Sequence, residues 1–401
     1  MRKKQTMIAS LFSTSRLHHL YISNELTSTC EHILSRKNFD DAYFEIITWD
    51  HYQKTPLYQL QALAKKLNVS NIYYKDESER FNLKSFKALG GAYAALRQLQ
   101  KLLTQQLKKP VSTSDIAKGL YKKECHDIIL CSATDGNHGR SLAWGAARYG
   151  AKCVIFIHRD VSQYRAQAIE KYGAQIIRID GDYDDSVEET REWAKKNNGI
   201  IISDTSWPGY SDPPKDVMSG YGVMIDELQD QISSPPTHVF VQGGVGGLPA
   251  GVFARLKQHY PDTSMRLIVV EPALAQCLFV SAQKNQASTF HIREESCMAG
   301  LSCGETSPIA WDIIKETASD FITIDEELVA PSLRLLENPL AHDPVIVAGE
   351  SAIAGFAAFV SACQQSSMRD ALALCANSKI LLIGSEGNTD PETRTQILKT
   401  S

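Results

Sequence analysis

The chain has 401 residues, enough for two or three packed domains. Apolar residues make up 43% and charged residues 22%, the balance of a globular chain with a sizeable core and not of a disordered one. Lysine and arginine total 42 against 46 aspartates and glutamates, a net charge of -4 that presents no chain-wide basic field to nucleic acid.

In chain order, the opening MRKKQTMIASLFSTSR is basic and lacks acids, but its apolar part is short and no small-residue cleavage site follows. No export or import signal is expected. The segment DESERFNLKSFKALGGAY, Asp76 to Tyr93, ends as a helix behind polar turn residues, with Ser85 as candidate cap and Lys87 in the first turn. There the positive end of the helix dipole disfavours an ammonium, the direction an amine nucleophile needs. Lys84 carries the same side chain three residues earlier. Spacing does not choose between them, and an ordinary solvated lysine is the alternative for either. Gln98 to Lys123, rich in lysine and glutamine, reads as a surface excursion.

From Cys125 to Asp204 one arrangement repeats: a β-rich run, a turn, an amphipathic segment closed by glycine, then the next run. The runs are Asp127 to Cys131, Cys153 to Ile157, Gln175 to Ile179 and Gly199 to Ser203, with Gly150 and Gly173 as helix stops. Such alternation predicts a parallel sheet with helical crossovers. Two polar segments fall at the carboxyl ends of these runs, where open parallel sheets bind ligands. SATDGNHGR, Ser132 to Arg140, offers Asp135, Asn137 and His138; SDTSW, Ser203 to Trp207, offers Asp204. Turn and capping duty is the alternative for both. WPGYSDPPK, Trp207 to Lys215, and SSPPT, Ser233 to Thr237, have linker composition.

A second set follows: strand His238 to Gln242, helix Leu248 to Gln258 and strand Leu267 to Val270. Between the first two lies VQGGVGGLP, whose glycines Gly243, Gly244, Gly246 and Gly247 around Val245 let backbone N–H groups surround a phosphate at a helix N-terminus. Pro249 replaces the third glycine of the Rossmann fingerprint, and no Gly-Lys-Ser/Thr of Walker type follows. Glu271, after LIVV, stands roughly where a ribose-binding acid would, so a dinucleotide remains open. Near the end, the helix-like Glu350 to Cys363 precedes the strand Ile380 to Gly384, which runs into Ser385. The longest nearly apolar run, Ala352 to Cys363, falls short of the roughly 18 to 20 residues of a membrane span. The nine cysteines are scattered and form no zinc spacing, so neither a disulfide scaffold nor a metal site is expected.

Together, Ser85-Phe86-Lys87, Gly136-Asn137-His138-Gly139 and the glycine loop resemble the fold type II pyridoxal-phosphate enzymes, the family of threonine dehydratase and the tryptophan synthase β chain. KDESERFNLKSFKALGGAY, SATDGNHGR, SDTSWPGY, VQGGVGGLPAGV, MAGLSCGE and SEGNTD, with Thr55-Pro56-Leu57, are most similar to the diaminopropionate ammonia-lyases within it. Asp135 before Gly136, paired with SDTSW, separates this pattern from the S-x-G-N-H of threonine dehydratases.

The resemblance implies an α/β fold of two open twisted sheets flanked by helices. A smaller domain, 75–205, is inserted in a larger cofactor-binding domain, 1–74 and 206–401. It implies pyridoxal 5'-phosphate held by Lys87 as a Schiff base beside Phe86, with Gly243, Gly244, Val245, Gly246 and Gly247 on the phosphate, Asn137 on the phenolic oxygen and Ser385 at the pyridine nitrogen. The implied reaction is α,β-elimination of D- or L-2,3-diaminopropionate to pyruvate and two ammonia, with Asp135 and Asp204 as bases on opposite faces. A serine or threonine dehydratase is the alternative within the fold, and a phosphate- or nucleotide-binding α/β protein the alternative outside it. Ser85 stands where related lyases often carry alanine; Cys277 and Cys303 stand where relatives can carry a cysteine pair, with two thiols expected here. The implied setting is a cytoplasmic homodimer acting on a small amino acid, without nucleic acid, membrane or metal.

Overall fold

Runs of buried β-formers organise the chain into two sheets, seen in a computed structural model that describes residues 11–23, 29–134 and 136–399. The strands are β1 (Leu17–Tyr21), β2 (Leu57–Gln59), β3 (Asn71–Asp76), β4 (Ile129–Ala133), β5 (Lys152–Ile157), β6 (Gln175–Arg178), β7 (Ile200–Ile201), β8 (His238–Gln242), β9 (Arg266–Pro272), β10 (Asp320–Ile324) and β11 (Lys379–Gly384). One sheet has the order β1-β10-β9-β8-β11-β3-β2 and the other β6-β5-β4-β7. This is the expected α/β architecture.

The chain divides into two compact units: Met1–Ile33, Lys54–Glu79 and Met224–Ser401 form the larger, Leu34–Gln53 and Arg80–Val223 the smaller. The seven-stranded sheet belongs to the larger. Its inner pairs are parallel, while β1 and β2 close the edges antiparallel. Every residue of β8 and β10 is buried, as in a parallel strand covered on both faces. Helix Ala354–Gln364 packs on β8 and β9, with Phe359 edge-on to Phe240 at 5.6 Å between ring centroids. At the end of β3 the fully buried Lys75 donates to the Thr55 carbonyl (2.9 Å), Glu227 (2.6 Å) and Gln231 (2.9 Å). This places Thr55-Pro56-Leu57 beside the sheet.

The smaller unit holds the four-stranded sheet, parallel throughout. Its bounds differ from the expected 75–205. Lys75 and Asp76 remain in β3, whereas the helices Arg36–Ile46 and Asp212–Tyr221 pack with Lys87–Leu107. A Cβ on Gly220 would lie 2.2 Å from the Leu89 carbonyl oxygen, and one on Gly90 would lie 2.5 Å from the Tyr221 ring. Glycine at both positions lets those helices touch backbone to backbone, a contact no periodicity rule reports. The expected linker Trp207 to Lys215 is also different: Trp207 and Tyr210 close a tight bridge, and Pro213 and Pro214 sit in the first turn of Asp212–Tyr221, where a missing N–H costs nothing. Gln98 to Lys123 is not loose, since Leu99, Leu103, Val111 and Ile116 are buried. Among the described residues no helix is long and apolar enough to cross a membrane.

Candidate active site

In the smaller unit the turn before helix Lys87–Leu107 is shaped by three non-glycine residues in the left-handed region, Phe81 (φ 50), Asn82 (φ 58) and Lys84 (φ 55). Each such residue costs on the order of 1–3 kcal/mol unless its surroundings impose it. Here the Phe81 ring packs against Trp144 (5.0 Å) and Trp49 (5.8 Å), while buried Arg80 donates to the Gln53 carbonyl at 3.1 Å. The turn sends Lys84 into solvent and Lys87 inward. The structure therefore separates two lysines that spacing could not. Ser85 accepts from the Lys87 N–H at 3.3 Å, although Phe86 and not Ser85 holds the cap position. The Phe86 ring meets Tyr221 at 4.6 Å and lies 5.5 Å from the Lys87 ammonium.

The Lys87 ammonium donates to Asp204, 117 residues further along. Burial raises the Asp204 carboxyl's pKa, but Lys87 and His138 outweigh it and hold the group well below the usual carboxylate range. His138 donates from Nε2 to the Ile202 carbonyl at 2.8 Å, which turns Nδ1 toward Asp204 at 4.0 Å. The Asp204 loop is fixed from behind. Tyr210 donates its hydroxyl to the Ile201 carbonyl and accepts from the Ser203 N–H, both at 2.9 Å. Its ring stacks on Trp207 at 3.9 Å and 6°, and Arg191 covers the indole at 4.6 Å. At the start of helix Asn137–Tyr149, Arg140 donates to Asn137 Oδ1 at 2.8 Å, which fixes the amide's orientation and makes its nitrogen the donor end. Asp135 lies outside the described residues, as do the first ten residues of the basic leader.

In the larger unit β8 runs through the glycine loop into helix Gly247–His259. Gly246 caps it at φ 107 with no side-chain cap, so the first-turn N–H groups are open to an anion. A Cβ on Gly246 would stand 3.1 Å from Ile314 and 3.2 Å from Ala310. The Ser307 N–H holds the Val245 carbonyl at 2.9 Å. Glu271 is not poised for a ribose: it is 1% exposed and accepts from the Leu278 and Phe279 N–H groups at 2.9 and 2.7 Å, starting the helix Cys277–Lys284. Burial pushes its carboxyl up to about 8, against those two hydrogen bonds. Neither Cys277 nor Cys303 is in a disulfide. Ser385, 3% exposed, accepts from Gln242 Nε2 at 2.6 Å.

Both halves match what pyridoxal phosphate requires: an inward amine beside a carboxylate, an amide nitrogen, an uncapped helix start and a hydroxyl with its proton to give. The family described as pyridoxal-phosphate dependent enzyme matches residues 48–382. The chain belongs to that family. Among the pyridoxal-phosphate dependent enzymes, the diaminopropionate ammonia-lyase of Escherichia coli (strain K12) is 36% identical over 345 residues, covering 84% of this chain and 85% of that protein. The enzyme of the same description from Salmonella typhimurium (strain LT2) is 34% identical over 352 residues, covering 85% and 87%. The crystal structure of the Escherichia coli enzyme in complex with an aminoacrylate-PLP azomethine reaction intermediate matches with a TM-score of 0.85 at 31% identity, covering 96% of this chain and 97% of that one. Threonine deaminase isoform 2 from Solanum lycopersicum, at 19% identity and a TM-score of 0.72, shares the fold. The fold is type II and the cofactor is pyridoxal 5'-phosphate. Gln242, Tyr210 and Arg140 stand inside VQGGVGGLP, SDTSWPGY and SATDGNHGR, but neither residue type nor spacing gave any of them a role.

Proposed function

We propose that this pyridoxal-phosphate-dependent lyase removes the β-amino group of 2,3-diaminopropionate, consuming one water and releasing pyruvate and two ammonia. The observation that carries the reading is the Lys87 and Asp204 pair, which puts an amine and an anionic carboxylate on the same point. Similarity to the ammonia-lyases over most of both chains supports the substrate.

Lys87, Phe86, Asn137, Gly243, Gly244, Val245, Gly246, Gly247 and Ser385 would hold the cofactor. When bound, the cofactor draws electrons from the substrate's α-carbon and makes its proton removable. Asp204, kept anionic by Lys87 and His138, takes that proton at its carboxylate. Ammonia leaves poorly unless the departing amine is protonated, and Asp204 in its acid form, or the Lys87 ammonium, is placed to supply or keep that proton. Phe86 and the Tyr221 ring wall off the amine on one side and limit water there. Asp135 serves as the base for the opposite enantiomer. We place the enzyme in the cytoplasm as a homodimer, on the resemblance of its motifs.

Pyruvate release measured side by side from D- and L-2,3-diaminopropionate, serine and threonine tests the proposal. Diaminopropionate is expected to be the fastest. Faster release from serine or threonine would make the protein a dehydratase.

A further inference from the structure

Gln242 ends β8 with its side chain 1% exposed. Its Nε2 lies 2.9 Å from the Ile383 carbonyl oxygen and 2.6 Å from Ser385 Oγ. A carbonyl only accepts, so the nitrogen end of the amide must face Ile383, and the orientation is decided without reference to Ser385. Both amide protons are then spent on these two oxygens, the nearest acceptors, since the Ala352 carbonyl stands off at 3.5 Å. Ser385 is an acceptor toward Gln242, and its single proton must point elsewhere. The amide oxygen, buried, has no hydrogen-bond partner among the described residues. That is a costly state, which the fold bears in order to keep the nitrogen where it is.

We propose that Gln242 is a positioning residue that makes Ser385 a hydrogen-bond donor to the cofactor's pyridine nitrogen and thereby keeps that nitrogen unprotonated. The proposal rests on Ser385 facing that atom. A hydroxyl alone does not decide the matter, because it can donate to a neutral pyridine or accept from a pyridinium equally well. Its neighbour decides. With Gln242 donating, only the neutral ring finds a complementary partner. An unprotonated ring is the weaker electron sink, which favours elimination over transfer of the amino group to the cofactor.

Replacing the amide by an acid of the same shape reverses the polarity. In Gln242→Glu the buried carboxyl carries a proton on the oxygen that replaces Nε2, donates it to the Ile383 carbonyl and accepts from Ser385 with a lone pair of that same oxygen. The serine then offers the ring nitrogen only lone pairs. The experiment reconstitutes the full-length protein with pyridoxal phosphate carrying nitrogen-15 in the ring and reads that nucleus by NMR. The wild type should show an unprotonated nitrogen. Gln242→Glu should move the signal toward the protonated position and raise amino transfer to the cofactor, relative to elimination, by about tenfold, the ratio one neutral hydrogen bond sets. Gln242→Met, which removes both donations without adding an acid, should weaken cofactor binding by a similar factor and serves if the acid variant does not fold. Ser385→Ala separates the two levels. A ring signal that changes in Ser385→Ala but in neither Gln242 variant overturns the role of Gln242; a signal unchanged in all three overturns the placement of Ser385. A protonated nitrogen in the wild type overturns the proposal outright.

Discussion

In the smaller unit the proposed reacting groups are full charges, an ammonium and a carboxylate with side chains 21% and 16% exposed, whereas in the larger unit the groups proposed to hold the cofactor are N–H dipoles and a neutral hydroxyl, most of them buried. The division follows from what each part handles. Protons are moved where charge can be gained and lost, and water at the margin helps to stabilise both states. A phosphate that stays charged throughout is held by dipoles already oriented, which ask for no proton and no rearrangement. Removing a charge should therefore abolish chemistry, while disturbing a dipole should weaken binding by a graded amount.

Four substitutions, with Lys84→Ala as the control for the first, would break or sharpen that contrast. The largest effect is expected from Lys87→Ala, which should abolish pyruvate release and the borohydride-fixed cofactor, while Lys84→Ala, a change at an exposed lysine, keeps both. Equal loss in the two variants would remove Lys87 from its role. Asp204→Asn comes next, with turnover of one enantiomer reduced by about 10²–10⁴-fold, the usual worth of a positioned base, and the other enantiomer largely spared. Parallel losses on both enantiomers would refute a face-specific base.

On the dipole side, Gly246→Ala forces a Cβ onto a backbone at φ 107 and against Ile314 and Ala310. At roughly 1–3 kcal/mol of strain, the cofactor dissociation constant should rise about tenfold or more, with the rate at saturating cofactor changed far less. A rate collapse at full occupancy would show that the loop does more than bind. The smallest effect belongs to Glu271. Its folded carboxyl titrates near 8 instead of its ordinary 4.5, so the folded chain keeps a proton that the unfolded chain has released. Stability must then fall as pH rises through that window. Glu271→Gln removes this part of the slope, and its melting temperature should gain on the wild type between about pH 4.5 and pH 8; a difference independent of pH would contradict the assignment.

The sheet of the smaller unit was legible because its strands are short buried runs separated by glycine-closed helices, and β8 falls where its apolar run does. β4 starts two residues later than expected, at Ile129, since Asp127 and Ile128 precede the first pairing with Lys152. β1 and β2 were not readable: the first carries His18 and His19 on an edge, and the second spans only Leu57–Gln59. Nor could Leu34–Gln53 be assigned to the smaller unit, because its membership comes from packing of Arg36–Ile46 against distant helices. In the site, residue types and loop positions were visible, but not their pairing. The Lys87 and Asp204 contact spans 117 residues, and the Tyr210 and Gln242 hydrogen bonds depend on a bridge and a carbonyl that no local pattern encodes.

The left-handed turn at Phe81, Asn82 and Lys84 ties the direction of the amine to the order in which the chain can assemble. Alone, that segment would populate other conformations, since nothing local favours three such residues. The rings of Trp49, Tyr52 and Trp144 pack on Phe81 and hold it in place, and Trp144 belongs to the same helix that begins at Asn137. Lys87 is thus aimed inward only in a chain whose helix Asn137–Tyr149 has already docked. Without that packing the chain has a lysine at this place but nothing to aim it.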